Sequence, residues 1–384
     1  MDTKTAPAPV SPAKTIGSAS TARLAIAPAR ILLAGRLRGR ETVGDADAPM
    51  HCLSVALAGT GVRARLWRPW EDALTDADLL HLFGTAGEFL PVVEAARRHR
   101  VKVVLTPQVW LDEAERQCTC RSASQKIVAW AGNLGQMVCP AWSWRRRLYR
   151  GVDLLVPQSN VEAQQIMRRY RLPAERIRVV PHGVEARFAQ AEPEAFAQRY
   201  GVRDFVLCAG PVQPRGHQLP LLLAMSREEV PLVILGDAAP KYAWYMAECR
   251  RVAGPGVRFV PELDRSDPLL AAAYSASRCV VVAGGREASE RISLEAGMSG
   301  APLVLFEGGC GHEYFGHQTV YVESSDVPGI RGGVLTALER GRNQRLADHV
   351  RTYFSWDAVA RVMREVYAKI LRERTSPALG SSSS

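Results

Sequence analysis

Two carboxylates, Glu287 and Glu295, stand with seven residues between them in V-V-V-A-G-G-R-E-A-S-E-R-I-S-L-E-A-G-M-S-G, residues 280–300. The apolar run Cys279–Val282 stops at Ala283-Gly284-Gly285, a turn signal. Ile292, Leu294 and Met298 then recur at helical spacing as far as Gly300, and Pro302 opens a second apolar run to Phe306. The pattern is a strand–loop–helix–strand unit. It places Glu287 in the loop at the strand's C-terminal end and Glu295 within the helix. Open parallel sheets bind ligands at the carboxyl ends of their strands, near helix N-termini. A carboxylate there accepts two hydrogen bonds at once, which suits a vicinal diol such as a ribose.

The elements that must position these residues are strands alternating with helices. Strands are expected at Ala29–Gly35, Val62–Arg68, Asp78–Phe83, Lys102–Thr106, Leu154–Pro157 and Ile177–Pro181. Helices are expected at Ala48–Ala58, Glu88–His99 and Val161–Tyr170. Residues 184–203 carry charge and Pro193 but no strand pattern, and read as a connector. A second set of strands follows at Asp204–Gly210, Pro231–Gly236, Val257–Val260, Cys279–Val282, Pro302–Phe306 and Thr319–Val322. The alternation means a parallel α/β sheet in each half. The expected division is a disordered tail at 1–28, a first domain at 29–183, the connector at 184–203 and a second domain at 204–355. An amphipathic helix at 356–374 and a loose tail at 375–384 complete it.

Glu-(seven residues)-Glu followed by Ala296-Gly-Met-Ser-Gly-Ala-Pro-Leu-Val304 resembles the donor-site motif of retaining glycosyltransferases of family four, which have the GT-B fold. Further blocks resemble the same family in the same order. They are Val180–Glu185, Asp204–Gly210, Asp267–Tyr274, His312–Gly316 and Phe354–Ala360. The resemblance is good from about Asp78 onward and weak before it. It implies two Rossmann-like doubly wound domains facing a cleft, with the C-terminal helix crossing back to the first domain. It also implies transfer of a sugar from a nucleotide-sugar donor to a glycan or lipid-linked acceptor, with retention. No cofactor or metal is implied beyond the co-substrate, because protein cations and helix N-termini neutralise the leaving phosphate.

Carried over position by position, the resemblance gives Glu287 to the donor hexose and Glu295 to the ribose. The loop Gly210–His217 should hold the diphosphate. The family has an Arg just after that loop's glycine and a Lys five residues later; here Pro211 and Gly216 stand there, leaving Arg215 and His217 beside the second slot. Glu313 in Gly309–Gly316 should help fix the loop near the donor, although a carboxylate at a helix start suits the helix dipole equally. On the acceptor side, Arg40 lies in a loop that lacks the family's Gly-Gly pair, and Gln108 sits where many members have a histidine. A donor phosphate oxygen is thought to take the acceptor proton in retaining members, so Gln108 need not be a base. Ala288-Ser289-Glu290-Arg291 replaces the glycines that usually follow the first Glu. These departures leave a second expectation open, a GT-B-shaped partner or regulatory subunit without activity. Sugar-nucleotide epimerisation on the same fold is a third.

The 384 residues carry a formal charge of +10, which favours anionic partners such as nucleotide diphosphates or acidic membrane surfaces. Trp142-Ser-Trp-Arg-Arg-Arg-Leu-Tyr-Arg150 gathers aromatics and arginines. It reads as an exposed helix with inward-packed tryptophans or as a peripheral contact with an anionic membrane; nucleic acid is set aside. No apolar run approaches the ~20 residues of a membrane span. Eight cysteines without a framework suggest a reducing compartment, hence a cytoplasmic protein, peripheral at most at the inner membrane face. Cys118, Cys120 and Cys139 lack the usual two-residue gap of a zinc site, so no metal is expected.

Overall fold

The computed structural model describes residues 29–35, 48–108, 143–282 and 286–375, and of residues 286–289 and 373–375 the backbone alone. Arg40, Cys118, Cys120, Cys139, Trp142 and both expected tails lie outside the described residues or extend beyond them. The chain divides into two compact units, with the boundary between Pro181 and His182.

The first unit runs β1 (Ile31–Ala34), α1 (Ala48–Gly59), β2 (Ala64–Leu66), β3 (Leu79–Phe83), α2 (Phe89–Arg98), β4 (Lys102–Thr106), α3 (Trp144–Gly151), β5 (Leu154–Leu155) and α4 (Asn160–Tyr170). Its five strands are parallel in the order β2-β1-β3-β4-β5. The order reverses between β1 and β3, which is where such a sheet binds ligands. The expected strand at Ile177–Pro181 reduces to a single bridge between Leu155 and Ile177.

The second unit runs α5 (Pro193–Tyr200), β6 (Val206–Ala209), α6 (Gln218–Met225), β7 (Leu232–Leu235), α7 (Ala243–Val252), β8 (Val257–Val260), α8 (Pro268–Ala276), β9 (Cys279–Val282) and α9 (Arg286–Met298). It continues through β10 (Leu303–Phe306), α10 (Gly311–Phe315), β11 (Val320–Val322), α11 (Val327–Arg340) and α12 (Gln344–Phe354). The strands are parallel in the order β11-β10-β9-β6-β7-β8, with the reversal between β6 and β9. Alternate side chains leave opposite faces. Leu207, Val233, Val280 and Leu303 pack into one buried cluster, and Val206, Cys208, Ile234, Val281 and Val304 into another. Cover on both faces explains why the inner strands β6, β7, β9 and β10 are continuous apolar runs.

Two boundaries differ from the sequence expectation. Residues 184–203 are no connector: Val184, Phe188, Phe196 and Val202 are buried in the second unit's core. The charged positions of α5 face solvent while Phe196 and Ala197 point inward, an amphipathic pattern that the charge and Pro193 obscured. Pro193 itself opens the helix, where its missing N–H costs nothing. The last helix, α13 (Trp356–Thr375), belongs to the first unit. There Val359, Ala360, Met363, Val366, Tyr367 and Ile370 pack with Met50, Leu53, Leu57 and Ile31.

Candidate active site

The loop after β6 is built from its backbone outward. Gly210 takes φ 129° and Gly236, at the end of β7, takes φ 147°. A Cβ on Gly236 would stand 2.2 Å from the Gly210 carbonyl oxygen, so only glycine lets these strand ends approach. Pro214–Gly216 form one turn of 3-10 helix, and His217 holds a left-handed conformation at φ 53° before α6 begins. The Gln218 side chain is wholly buried and donates through Nε2 to the Pro211 carbonyl at 2.9 Å. A Cβ on Gly216 would meet that amide at 2.3 Å. This packing gives the missing lysine at 216 a physical reason.

Arg215 lies in this turn with its Nε closed off from solvent and without a hydrogen-bond partner. Among the described residues it forms no ion pair. His217 packs its ring against Phe306, at the end of β10, with centroids 5.0 Å apart. Burial lowers its pKa below the usual imidazole value.

Helix α9 begins at Arg286, so Glu287 lies in the helix rather than in the preceding loop; its side chain is outside the described atoms. Ala288, Ser289, Glu290 and Arg291 replace the loop-forming glycines, and Ala, Glu and Arg favour helix. Glu290 is buried and accepts from the Cys310 thiol at 3.2 Å, so its charge is turned into the fold.

Glu295 is 1% exposed. Its Oε2 accepts from the Tyr274 hydroxyl at 3.1 Å, and its Oε1 lies 3.4 Å from Arg265 Nη2 and 3.5 Å from Arg291 Nη1. Burial pushes the carboxyl above the usual carboxylate range, opposed by Arg291, Arg265 and the Tyr274 hydroxyl. Arg265 also lies 3.9 Å from Glu185, which pairs with Arg187 at 3.1 Å, and its Nε is buried without a partner. The sequence reading missed Arg265, Tyr274, Glu185 and Arg187. Tyr274 stood in a recognised block, but nothing in the spacing tied it to Glu295.

Glu313 occupies the first turn of α10, where a negative charge meets the helix N-terminus. Beside it, the Tyr314 hydroxyl accepts from the His182 amide at 3.4 Å, and His182 Nδ1 lies 2.6 Å from the Gly183 carbonyl. Gly210, Arg215, His217 and the helix carrying Glu287 and Glu295 thus follow the two strands, β6 and β9, that flank the second sheet's reversal.

In the first unit, Gln108 follows β4 with φ 50°, a conformation uncommon outside glycine, and approaches Gly84. His81 is fully buried between Tyr367 Oη at 2.7 Å and Thr106 Oγ1 at 2.9 Å, which makes it a structural residue. Leu148 and Tyr149 turn the apolar side of α3 inward. Among the described residues no group of three or more His, Cys, Asp or Glu could hold a metal ion, and no helix is long and apolar enough to cross a membrane.

Burial pushes the His81 imidazole down to about 3 and the His182 imidazole down to about 4. Both values lie below the unfolded value near 6.5, so the unfolded chain binds more protons between them. The stability of both units should therefore be full above about pH 6.5 and fall on acidification, by about 2 kcal/mol per histidine at pH 5. Urea unfolding at pH 7.5 and pH 5 measures the loss, and His81→Gln should flatten the first unit's share. A loss unchanged in that variant would acquit His81.

Two parallel α/β units of this topology make the chain a protein of the GT-B fold. Residues 46–188 match the model of the family described as Glycosyltransferase Family 4. A D-inositol 3-phosphate glycosyltransferase of Xylanimonas cellulosilytica is 30% identical over 252 residues, 58% of this chain and 58% of that protein. The chain thus spans less than two thirds of the length of that curated relative. Sucrose-phosphate synthase from Thermosynechococcus elongatus superposes with a TM-score of 0.66 at 16% identity, covering 90% of this chain and 99% of its own. Anabaena HepE in complex with UDP and glucose superposes with a TM-score of 0.64 at 16% identity, covering 89% and 100%.

Proposed function

We propose that this chain is a glycosyltransferase that moves a sugar from a nucleotide-sugar donor to a glycan or lipid-linked acceptor, with retention and without a metal. The observation that carries the reading is Arg215: a guanidinium with a buried, unpartnered Nε, in the loop after β6, beside the second sheet's reversal. A diphosphate placed there would give it an acceptor, and the amides at the start of α6 would share the charge. The UDP named in the HepE complex and the match to Glycosyltransferase Family 4 support the same reading.

In the reaction, the bond from the sugar's anomeric carbon to the diphosphate oxygen breaks as an acceptor oxygen bonds to that carbon. The acceptor proton passes to a donor phosphate oxygen. Arg215, helped by His217, would hold the negative charge that grows on the leaving diphosphate. Glu287 would contact the transferred sugar. Glu295 would meet the ribose through the lone-pair capacity that Tyr274, Arg265 and Arg291 leave it.

Calorimetry with a panel of nucleoside diphosphates, followed by turnover with the matching nucleotide sugars, tests the reading. Binding below millimolar concentration and release of the diphosphate are expected. No binding and no product across the panel would leave the chain a scaffold without activity.

A further inference from the structure

Five charged side chains of the second unit form one unbranched chain of ion pairs. Arg187 pairs with Glu185 at 3.1 Å, Glu185 with Arg265 at 3.9 Å, Arg265 with Glu295 at 3.4 Å, and Glu295 with Arg291 at 3.5 Å. Three guanidiniums thus share two carboxylates, a surplus of one positive charge. His182 beside them is held neutral: burial lowers its pKa, and Arg265 and Arg291 lower it further. Arg187 is fixed by both Glu185 oxygens and by the Arg265 carbonyl. Arg265 lies between its two carboxylates with its side chain 11% exposed. Arg291 is the loose end of the chain. Glu295 is its one acceptor among the described residues, and its side chain is 28% exposed. A carboxylate offers about four lone pairs. Tyr274 takes one on Oε2, and Arg265 and Arg291 take both on Oε1. One remains, and a vicinal diol needs two. With Arg291 moved away, each oxygen of Glu295 has one lone pair free, so that two neighbouring hydroxyls can be received side by side.

We propose that Arg291 exchanges partners when the donor binds. In the free protein its guanidinium covers Glu295 Oε1; in the complex it transfers to a phosphate oxygen, and a ribose hydroxyl takes the place it leaves. The inference rests on the reading of Glu295 as the ribose contact. It adds a second cation beside Arg215 and a coupling between the two halves of the donor. Arg291 stands four residues before Glu295, one turn nearer the start of α9, where the helix dipole favours an anion. Helix α9 follows β9, and β9 pairs with β6, whose carboxyl end opens the Arg215 loop. Neither half of the exchange is favourable alone. A nucleoside without phosphate strands the guanidinium it displaces, and a diphosphate without ribose leaves Glu295 Oε1 short of a donor. Each half lowers the cost of the other, so the two bind with positive coupling that is equal in both directions.

The full chain is titrated as wild type, Arg291→Met and Arg291→Lys. Calorimetry reads pyrophosphate, UDP, GDP and ADP, and ligand-observed NMR reads uridine, guanosine and adenosine. Arg291→Met should weaken pyrophosphate and the nucleoside diphosphate that binds by roughly tenfold or more, as expected for a charged hydrogen bond. The same variant should tighten the parent nucleoside by about twofold to fivefold, the worth of the partly exposed ion pair that no longer has to be broken. These opposite signs mark the exchange, because a merely structural role would weaken both. Arg291→Lys, which keeps the charge but not the planar fork, should fall between wild type and Arg291→Met for pyrophosphate. In wild type, saturating pyrophosphate should tighten the nucleoside by roughly fivefold or more, and Arg291→Met should abolish that coupling. The wild-type coupling needs no variant, so the test stands even if Arg291→Met does not fold. Equal pyrophosphate affinity in wild type and Arg291→Met, weaker nucleoside binding by that variant, or independent binding of pyrophosphate and nucleoside by wild type overturns the proposal. If UDP, GDP or ADP still binds in any of those cases, the transferase reading built on Arg215 survives; no binding of any probe removes both.

Discussion

Arg215→Ala should weaken the binding of a nucleoside diphosphate by at least tenfold and leave the unfolding of the second unit where it is. The asymmetry follows from what Arg215 touches. Its Nε is sealed from solvent with no acceptor, and among the described residues it makes no ion pair, so truncation breaks no bond that holds the loop. The turn around it is fastened elsewhere, by Gln218 on the Pro211 carbonyl and by the Leu219 amide on the Tyr245 hydroxyl at 3.0 Å. Toward a diphosphate, each charge-assisted hydrogen bond is worth about 1.5–3 kcal/mol. Turnover should fall further than affinity, because charge on the leaving oxygen peaks in the transition state. Arg215→Lys should recover part of the binding but not the bidentate geometry. Calorimetry and single-turnover kinetics on the same preparations read both effects. Equal affinity in wild type and Arg215→Ala would remove Arg215 from the donor site and leave the loop without a cation.

The parts of this fold that were readable from the sequence are those set by burial on both sides. Lys102–Thr106 and Cys279–Val282 are apolar runs because both faces of each sheet are covered there, and their limits coincide with the observed strands. The turn after β6 was readable as a turn: Gly210 and His217 both take positive φ there. Glu287 was misplaced because a helix start is decided by a few weak propensities, and Arg286–Arg291 form helix once the glycines are gone. The surroundings of Glu295 could not be read at all. Arg265 comes from the loop after β8 and Tyr274 from α8, so their convergence on one carboxylate is a property of strand order, not of spacing.

That convergence changes what Glu295→Ala should do. From the motif alone, the substitution would remove a ribose contact and leave the fold intact. In the structure, Glu295 is the charge that keeps Arg265 in the interior, with the Arg265 side chain only 11% exposed. Removing one partner of a buried pair leaves the other uncompensated, at a cost of about 3–5 kcal/mol. Glu185 stands 3.9 Å from the same guanidinium and takes up part of the charge, which places the expected loss near the lower end of that range. The Tyr274 hydroxyl, fully buried, loses its acceptor as well. Glu295→Gln keeps an oxygen for Tyr274 and the shape of the side chain, and should lose roughly 1–2 kcal/mol. Arg265→Met should rescue part of the stability of Glu295→Ala, because the pair is then replaced by apolar packing rather than broken. Urea unfolding of the second unit, followed for the four proteins at pH 7.5, measures all three differences. If Glu295→Ala unfolds with wild type, the Tyr274–Glu295–Arg265 contacts contribute nothing to stability, and the carboxylate is available to a ligand as the motif alone would have it.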